Sequence, residues 1–90
     1  MAEEAYWLLN WFKQRGPLPD ASIEEQLCLN YYDAGLVDSL GVIQLIASIE
    51  EHFGIEFNEE HFQDRRFSTI NGLAELIAEL LNQKEDKANP

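Results

Sequence analysis

Three stretches of this chain repeat apolar residues at helical spacing, and within 90 residues they have to share one centre. In the first, from Ala2 to Arg15, the residues Ala5, Leu8, Leu9 and Phe12 recur at i, i+3, i+4 and i+7, and Trp7 and Trp11 widen the stripe. In the second, Val42, Leu45, Ile46, Ile49 and Phe53 fall in one narrow arc of a helical wheel. In the third, Ile70, Leu73, Ala74, Ile77 and Leu81 make another stripe. The predicted fold class is all-α, an irregular helical bundle of three main helices plus one short helix. The first and last main helices are expected to buttress the second, with a long first loop covering one side.

Punctuation along the chain fits this layout. The run Gly16-Pro17-Leu18-Pro19-Asp20 stops the first helix. Residues 20–37 form a long connection, in which Ser22 and Glu25 have the spacing of a capping box and Leu27, Leu29, Tyr31 and Tyr32 serve as apolar anchors. Asp38 is a preferred N-cap, which puts Ser39 at the first helical position, and Gly54 is the expected left-handed terminator. One helical turn is expected near Glu59 to Gln63, and Ser68 is the expected cap of the last helix. From Gln83 to Pro90 the chain is polar, so the domain is expected to span 1–82, with 83–90 a flexible C-terminal tail.

Composition narrows the function classes. The formal charge of −11 opposes nucleic-acid and anionic-membrane binding and favours partners with basic surfaces. No run of about 18 apolar residues exists, so no membrane insertion is expected. Glu3 and Glu4 precede the first apolar residues, unlike the basic start of a secretory signal, so a cytoplasmic monomer is expected. The single cysteine, Cys28, has no internal disulfide partner and is read as a small buried hydrophobe. No Cys/His cluster has structural-zinc spacing, and no metal site is expected.

The segment Gly35-Leu36-Val37-Asp38-Ser39-Leu40 carries the chemical content. A helix N-terminus offers unpaired N–H groups and the positive end of the helix dipole, a favourable field for a phosphate esterified to Ser39. Asp38 adds a carboxylate that an external enzyme can use to hold a metal ion or orient the hydroxyl. Taken alone, an Asp-Ser pair at a helix start is simply a good cap. On the same helix Leu40, Ile43 and Ala47 lie at i, i+3 and i+7 away from the core arc, and Glu50 and Glu51 flank their far end. These five residues are the candidate partner-docking surface. The plainer alternative is that they pack against neighbouring loops.

A hydrolase reading needs Ser39 paired with His52 or His61; His52 lies about 20 Å from Ser39 along the helix at ~1.5 Å per residue, and His61 approaches only if its loop folds back. No strand-borne nucleophile elbow is present, and no catalytic residue is assigned.

The stretch from Asp33 to Phe53, DAGLVDSLGVIQLIASIEEHF, resembles the signature region of acyl carrier proteins. In that family the serine of the Asp-Ser-Leu motif receives 4′-phosphopantetheine from coenzyme A, and Ser39 is the matching residue, between Asp38 and Leu40. The resemblance implies a non-catalytic carrier that tethers an acyl or aminoacyl group as a thioester. It also implies three kinds of partner: a phosphopantetheinyl transferase, an activating ligase, and an acyltransferase or synthase that accepts the cargo. Gly41 and Gln44 stand where fatty-acid carriers have acidic residues. That departure, the span from Phe53 to Ile70, Phe62 and the Phe67-Ser68-Thr69 run are similar to D-alanyl carrier proteins. The competing expectation is an unmodified helical adaptor that uses Leu40, Ile43 and the tryptophans to bind another protein.

Overall fold

A computed structural model describes residues 3–88, with side chains described through residue 84. The elements in order are α1 (Glu3–Arg15), α2 (Ile23–Cys28), α3 (Ser39–Phe53), α4 (Glu59–Gln63), a 3₁₀ turn η1 (Arg65–Ser68) and α5 (Ile70–Ala88). The all-α class holds, with α1, α3 and α5 as the long helices and two short helices where one was expected. Among the described residues there is no strand, only an isolated antiparallel bridge between Asn30 and Thr69.

The apolar stripes do what their spacing predicts. Ala5, Leu8, Leu9 and Phe12 of α1 are all buried, as are Ile70, Leu73, Ala74 and Ile77 of α5; Leu76, outside the expected stripe, is buried with them, and Leu81 is only partly buried. On α3 the sealed positions are Gly41, Leu45 and Ile49, while Val42, Ile46 and Phe53 are partly buried at the margin. The arc is therefore centred one position away from Val42. The connections supply Leu27, Tyr31, Val37, Ile55 and Phe57 to the same core. Trp7 and Trp11 lie at its edge, as expected, Trp7 stacked on His52 at 4.8 Å and Trp11 beneath the Arg15 guanidinium at 4.6 Å.

The packing hub differs from the expected one. The closest backbone approaches are those of α5 to α1, α2 and η1, while α3 joins the core through its longer side chains. Small residues explain this. A β-carbon at Gly72 would lie 1.9 Å from the Arg66 carbonyl oxygen, so η1 rests directly on the first turn of α5. Arg66 then secures the turn, pairing with Asp64 at 2.9 Å and Glu79 at 2.8 Å.

Caps set the helix boundaries. Ser22 accepts from the Glu25 amide, and Asn58 forms a capping box with His61 at the start of α4. Gly54 ends α3 with φ of 68°, the left-handed conformation expected of it. The cap of α5 is Thr69 rather than Ser68: Thr69 Oγ1 accepts from the Gly72 amide at 3.0 Å, and Ser68 Oγ instead donates to the Arg65 carbonyl. The 3₁₀ turn occupies residue 68, so the first position with extended backbone is Thr69. Helix α5 continues through Ala88, past the expected domain boundary at residue 82; of the expected tail, Asn89 and Pro90 lie outside the described residues.

Candidate functional site

Ser39 is the first residue of α3 and is exposed. Asp38, in extended backbone geometry, caps the helix by accepting from the Gly41 amide at 2.8 Å, which satisfies one of the N–H groups that a helix start leaves unpaired. The close cap also accounts for the glycine. A β-carbon at position 41 would meet Val37 Cβ at 2.9 Å and Asp38 Oδ1 at 3.3 Å. An acidic side chain there would both crowd Val37 and face the capping carboxylate.

The first connection delivers a second hydroxyl. Asn30 Oδ1 accepts from the amides of Tyr32 and Asp33, folding a tight turn that continues through Gly35 at φ of 75°. Tyr31 is buried and donates to the Phe67 carbonyl, so its neighbour is thrown outward. Tyr32 is therefore not the core anchor its apolar ring suggested; it is 52% exposed, and its hydroxyl lies 3.3 Å from Ser39 Oγ.

Ser39 opens onto a groove of about 470 Å³ between this turn, the start of α3 and the α4–η1 segment. Tyr32, Val42, Phe62 and Phe67 give it an apolar lining, and Asp33, Asp64 and Arg65 border it. Tyr32 and Arg65 were missed as site residues in the sequence. The available signal was the polar tip of a tyrosine beside a buried one, together with a cation in a strongly acidic chain.

The remaining sequence candidates fall as follows. Leu40 and Ile43 are 62% and 64% exposed, and Ala47 is exposed on the same side of α3. Glu51 is exposed, whereas Glu50 is half-buried and accepts from the Phe57 amide at 2.9 Å, closing the turn after α3. Cys28 is exposed, contrary to its reading as a buried hydrophobe, because α2 turns only Leu27 into the core. Neither histidine approaches Ser39: His52 stacks on Trp7, and His61 Nδ1 accepts from the Asn58 amide. Among the described residues no group of His, Cys, Asp or Glu is arranged to hold a metal ion. Nor is any described helix long and apolar enough to cross a membrane.

The family profile described as a phosphopantetheine attachment site matches residues 21–84, the span that contains the Asp38 cap, Ser39 and the groove. The chain belongs to the acyl carrier protein family. Its cofactor is 4′-phosphopantetheine, covalently attached. Among curated relatives, this carrier is similar to the D-alanyl carrier protein of Streptococcus mutans, 33% identical over 60 residues that make up 67% of this chain and 76% of the relative. It is also similar to the D-alanyl carrier protein of Streptococcus uberis, 37% identical over 51 residues, covering 57% of this chain and 65% of the relative. The corresponding protein of Lacticaseibacillus rhamnosus is 31% identical over 49 residues, covering 54% and 60%. No solved structure matches.

The geometry around Ser39 of this carrier suits a bulky ester. Ser39 is exposed, only the polar tip of Tyr32 touches its hydroxyl among the hydrogen-bonded side chains described, and open space lies to one side.

Proposed function

We propose that Ser39 is the attachment residue and that the protein presents an acyl or aminoacyl group to partner enzymes. One observation carries this reading: the exposed Ser39 hydroxyl, on the first residue of a capped helix, lies inside the matched segment. The attached group supplies a terminal thiol that carries the cargo as a thioester. The chain's own residues position it. Asp38 fixes the first turn of α3 and, being exposed, has its carboxylate available to the enzyme that modifies Ser39.

Leu40, Ile43 and Ala47 form the docking face beside the attachment point, with Glu51 and the outer side of Glu50 meeting basic residues at its far end. Exposed branched side chains this close to Ser39 support that assignment. A phosphopantetheinyl transferase, an activating ligase and an acyl acceptor enzyme share this face in turn. The charge of −11 favours basic counterparts for all of them. The protein itself is a non-catalytic cytoplasmic monomer. Tyr32 is the side chain bonded to Ser39, and a phenol is a poor base at neutral pH.

The relatives' names support D-alanine as the cargo. The working unit spans 1–82, with 83–90 as an appendage, since Leu80 and Leu81 are the last α5 side chains packed on the core among the described residues.

Incubation with coenzyme A and a broad-specificity transferase, read by intact mass, tests the proposal. Wild type gains one phosphopantetheinyl group and Ser39→Ala gains none. An unchanged wild-type mass with several transferases would instead favour the unmodified adaptor.

A further inference from the structure

Tyr32 and Arg65 reach the Ser39 groove from two connections that are remote in sequence. The turn capped by Asn30 turns Tyr32 outward, so about half of the residue is exposed while its hydroxyl sits 3.3 Å from Ser39 Oγ. Packing does not account for this aim, because the core anchor of the turn is Tyr31. Arg65 comes from η1 and borders the same groove. Its neighbour Arg66 is spent on Asp64 and Glu79, but Arg65 has no ion pair among the described residues. In a chain of net charge −11 an arginine without an ion pair on the wall of the groove that Ser39 opens onto needs a reason.

An anion at Ser39 supplies one. A phosphodiester carries a negative charge and two non-bridging oxygens. Asp33 and Asp64 also border the groove and oppose that charge, Asp64 already being paired with Arg66. A guanidinium matches phosphate oxygens in both charge and shape, and a phenol donates a strong hydrogen bond to one of them. Once Ser39 Oγ is esterified it has no proton and accepts weakly, so the Tyr32 hydroxyl has to find a new acceptor. The non-bridging oxygens are the nearest chemistry of that kind.

We propose that Tyr32 and Arg65 together hold the phosphodiester formed on Ser39, and thereby fix the direction in which the arm leaves the domain. The proposal rests on the reading of Ser39 as the attachment residue. Both are positioning residues, one steering the ester by a hydrogen bond and the other by charge. Their cost to the fold is small, since both are exposed.

The test uses the intact chain carrying its arm, confirmed by mass, with ³¹P NMR of the phosphodiester as the readout. Tyr32→Phe and Arg65→Gln are compared with wild type, and far-UV CD verifies that each stays folded. In wild type the ³¹P resonance is broad, tumbling with the domain. Each substitution moves the shift and narrows the line as the ester is released to move on its own. Identical shifts and linewidths in all three armed proteins would overturn the hold while leaving attachment at Ser39 intact. A change in only one variant would overturn the joint role of the two residues. If wild type acquires no arm at Ser39, both readings fall.

Discussion

The Tyr31 hydroxyl donates to the carbonyl oxygen of Phe67, tying the first connection to the turn that precedes α5. The bridge between Asn30 and Thr69 lies alongside it. Together they fix two loops that a helix-by-helix description leaves unattached, and they form the frame on which the groove beside Ser39 is built.

Removing that hydroxyl leaves a partly buried carbonyl without its donor. Tyr31→Phe is expected to destabilise the protein by about 1 kcal/mol in urea denaturation, the usual net worth of such a bond. Burial also pushes the Tyr31 phenol up to about 12. An unfolded chain loses that proton near pH 10, so between roughly pH 10 and 12 the unfolded state binds fewer protons than the folded one. Stability therefore falls as pH rises through this window. The difference between wild type and Tyr31→Phe isolates the effect and should shrink or reverse above about pH 10. A constant difference from neutral to strongly alkaline pH would contradict the burial of this group.

Gly72 and Gly41 are both tight, but they should respond differently to alanine. At Gly72 the new methyl would meet the backbone of Arg66 at 1.9 Å, and backbone cannot swing aside. Gly72→Ala is expected to cost at least about 2 kcal/mol in thermal or chemical unfolding, despite a helix-propensity gain of ~1 kcal/mol. At Gly41 the nearest atom is Val37 Cβ at 2.9 Å, which moves only with its own backbone, but the overlap is far smaller than at Gly72. Gly41→Ala should therefore cost about 1 kcal/mol once the propensity gain is set against the crowding, less than Gly72→Ala. Equal penalties at the two positions would refute this difference.

The two faces of α3 separate by substitution. Leu45 is wholly buried, and Leu45→Ala should lose about 2–5 kcal/mol. Ile43, 64% exposed, should accept aspartate within about 0.5 kcal/mol. Ile43→Asp should nevertheless slow modification or loading, as measured by the rate of mass gain with transferase or ligase. Loss of helical CD in Ile43→Asp would assign the residue to the core. Val42, only partly buried, is a milder probe than the sequence arc implied.

Acid should loosen the α4–η1 segment before the rest of the fold. Hydrogen bonds from Arg66 hold the carboxyls of Asp64 and Glu79 below the usual carboxylate range. Their contribution is present above the ordinary carboxylate value near pH 4 and is lost as pH falls through the lower folded values, because there the unfolded state binds more protons. Amide exchange at Arg66 and Phe67 should therefore speed up relative to core amides below about pH 4, and added salt should shift the onset. Arg66→Gln should abolish this local acid response.

Much of the fold could be read from local chemistry. Helical periodicity located the buried faces of α1 and α5, and Asp38 and Gly54 marked the ends of α3, because these signals act within a turn or two of the chain. Features that depend on distant partners were not visible. Thr69 caps α5 in place of Ser68 only because η1 takes up residue 68, and η1 exists through contact with Gly72 and the pairing of Arg66. Tyr32 looked like an anchor because adjacent tyrosines are alike in sequence; the Asn30 turn and the bond to Phe67 decide which one points inward. That Ser39 starts α3 and that Leu40, Ile43 and Ala47 face outward was legible from cap and wheel, while the opposite wall of the groove, set by tertiary packing, was not.

The outward-facing sulfur of Cys28 has a practical consequence. It is the chain's sole cysteine, so an alkylating reagent titrates one equivalent on the bare polypeptide and two once a pantetheine arm is in place. After acylation of the arm the count returns to one, so a simple thiol stoichiometry singles out the free armed form, and intact mass separates the bare chain from the acylated one.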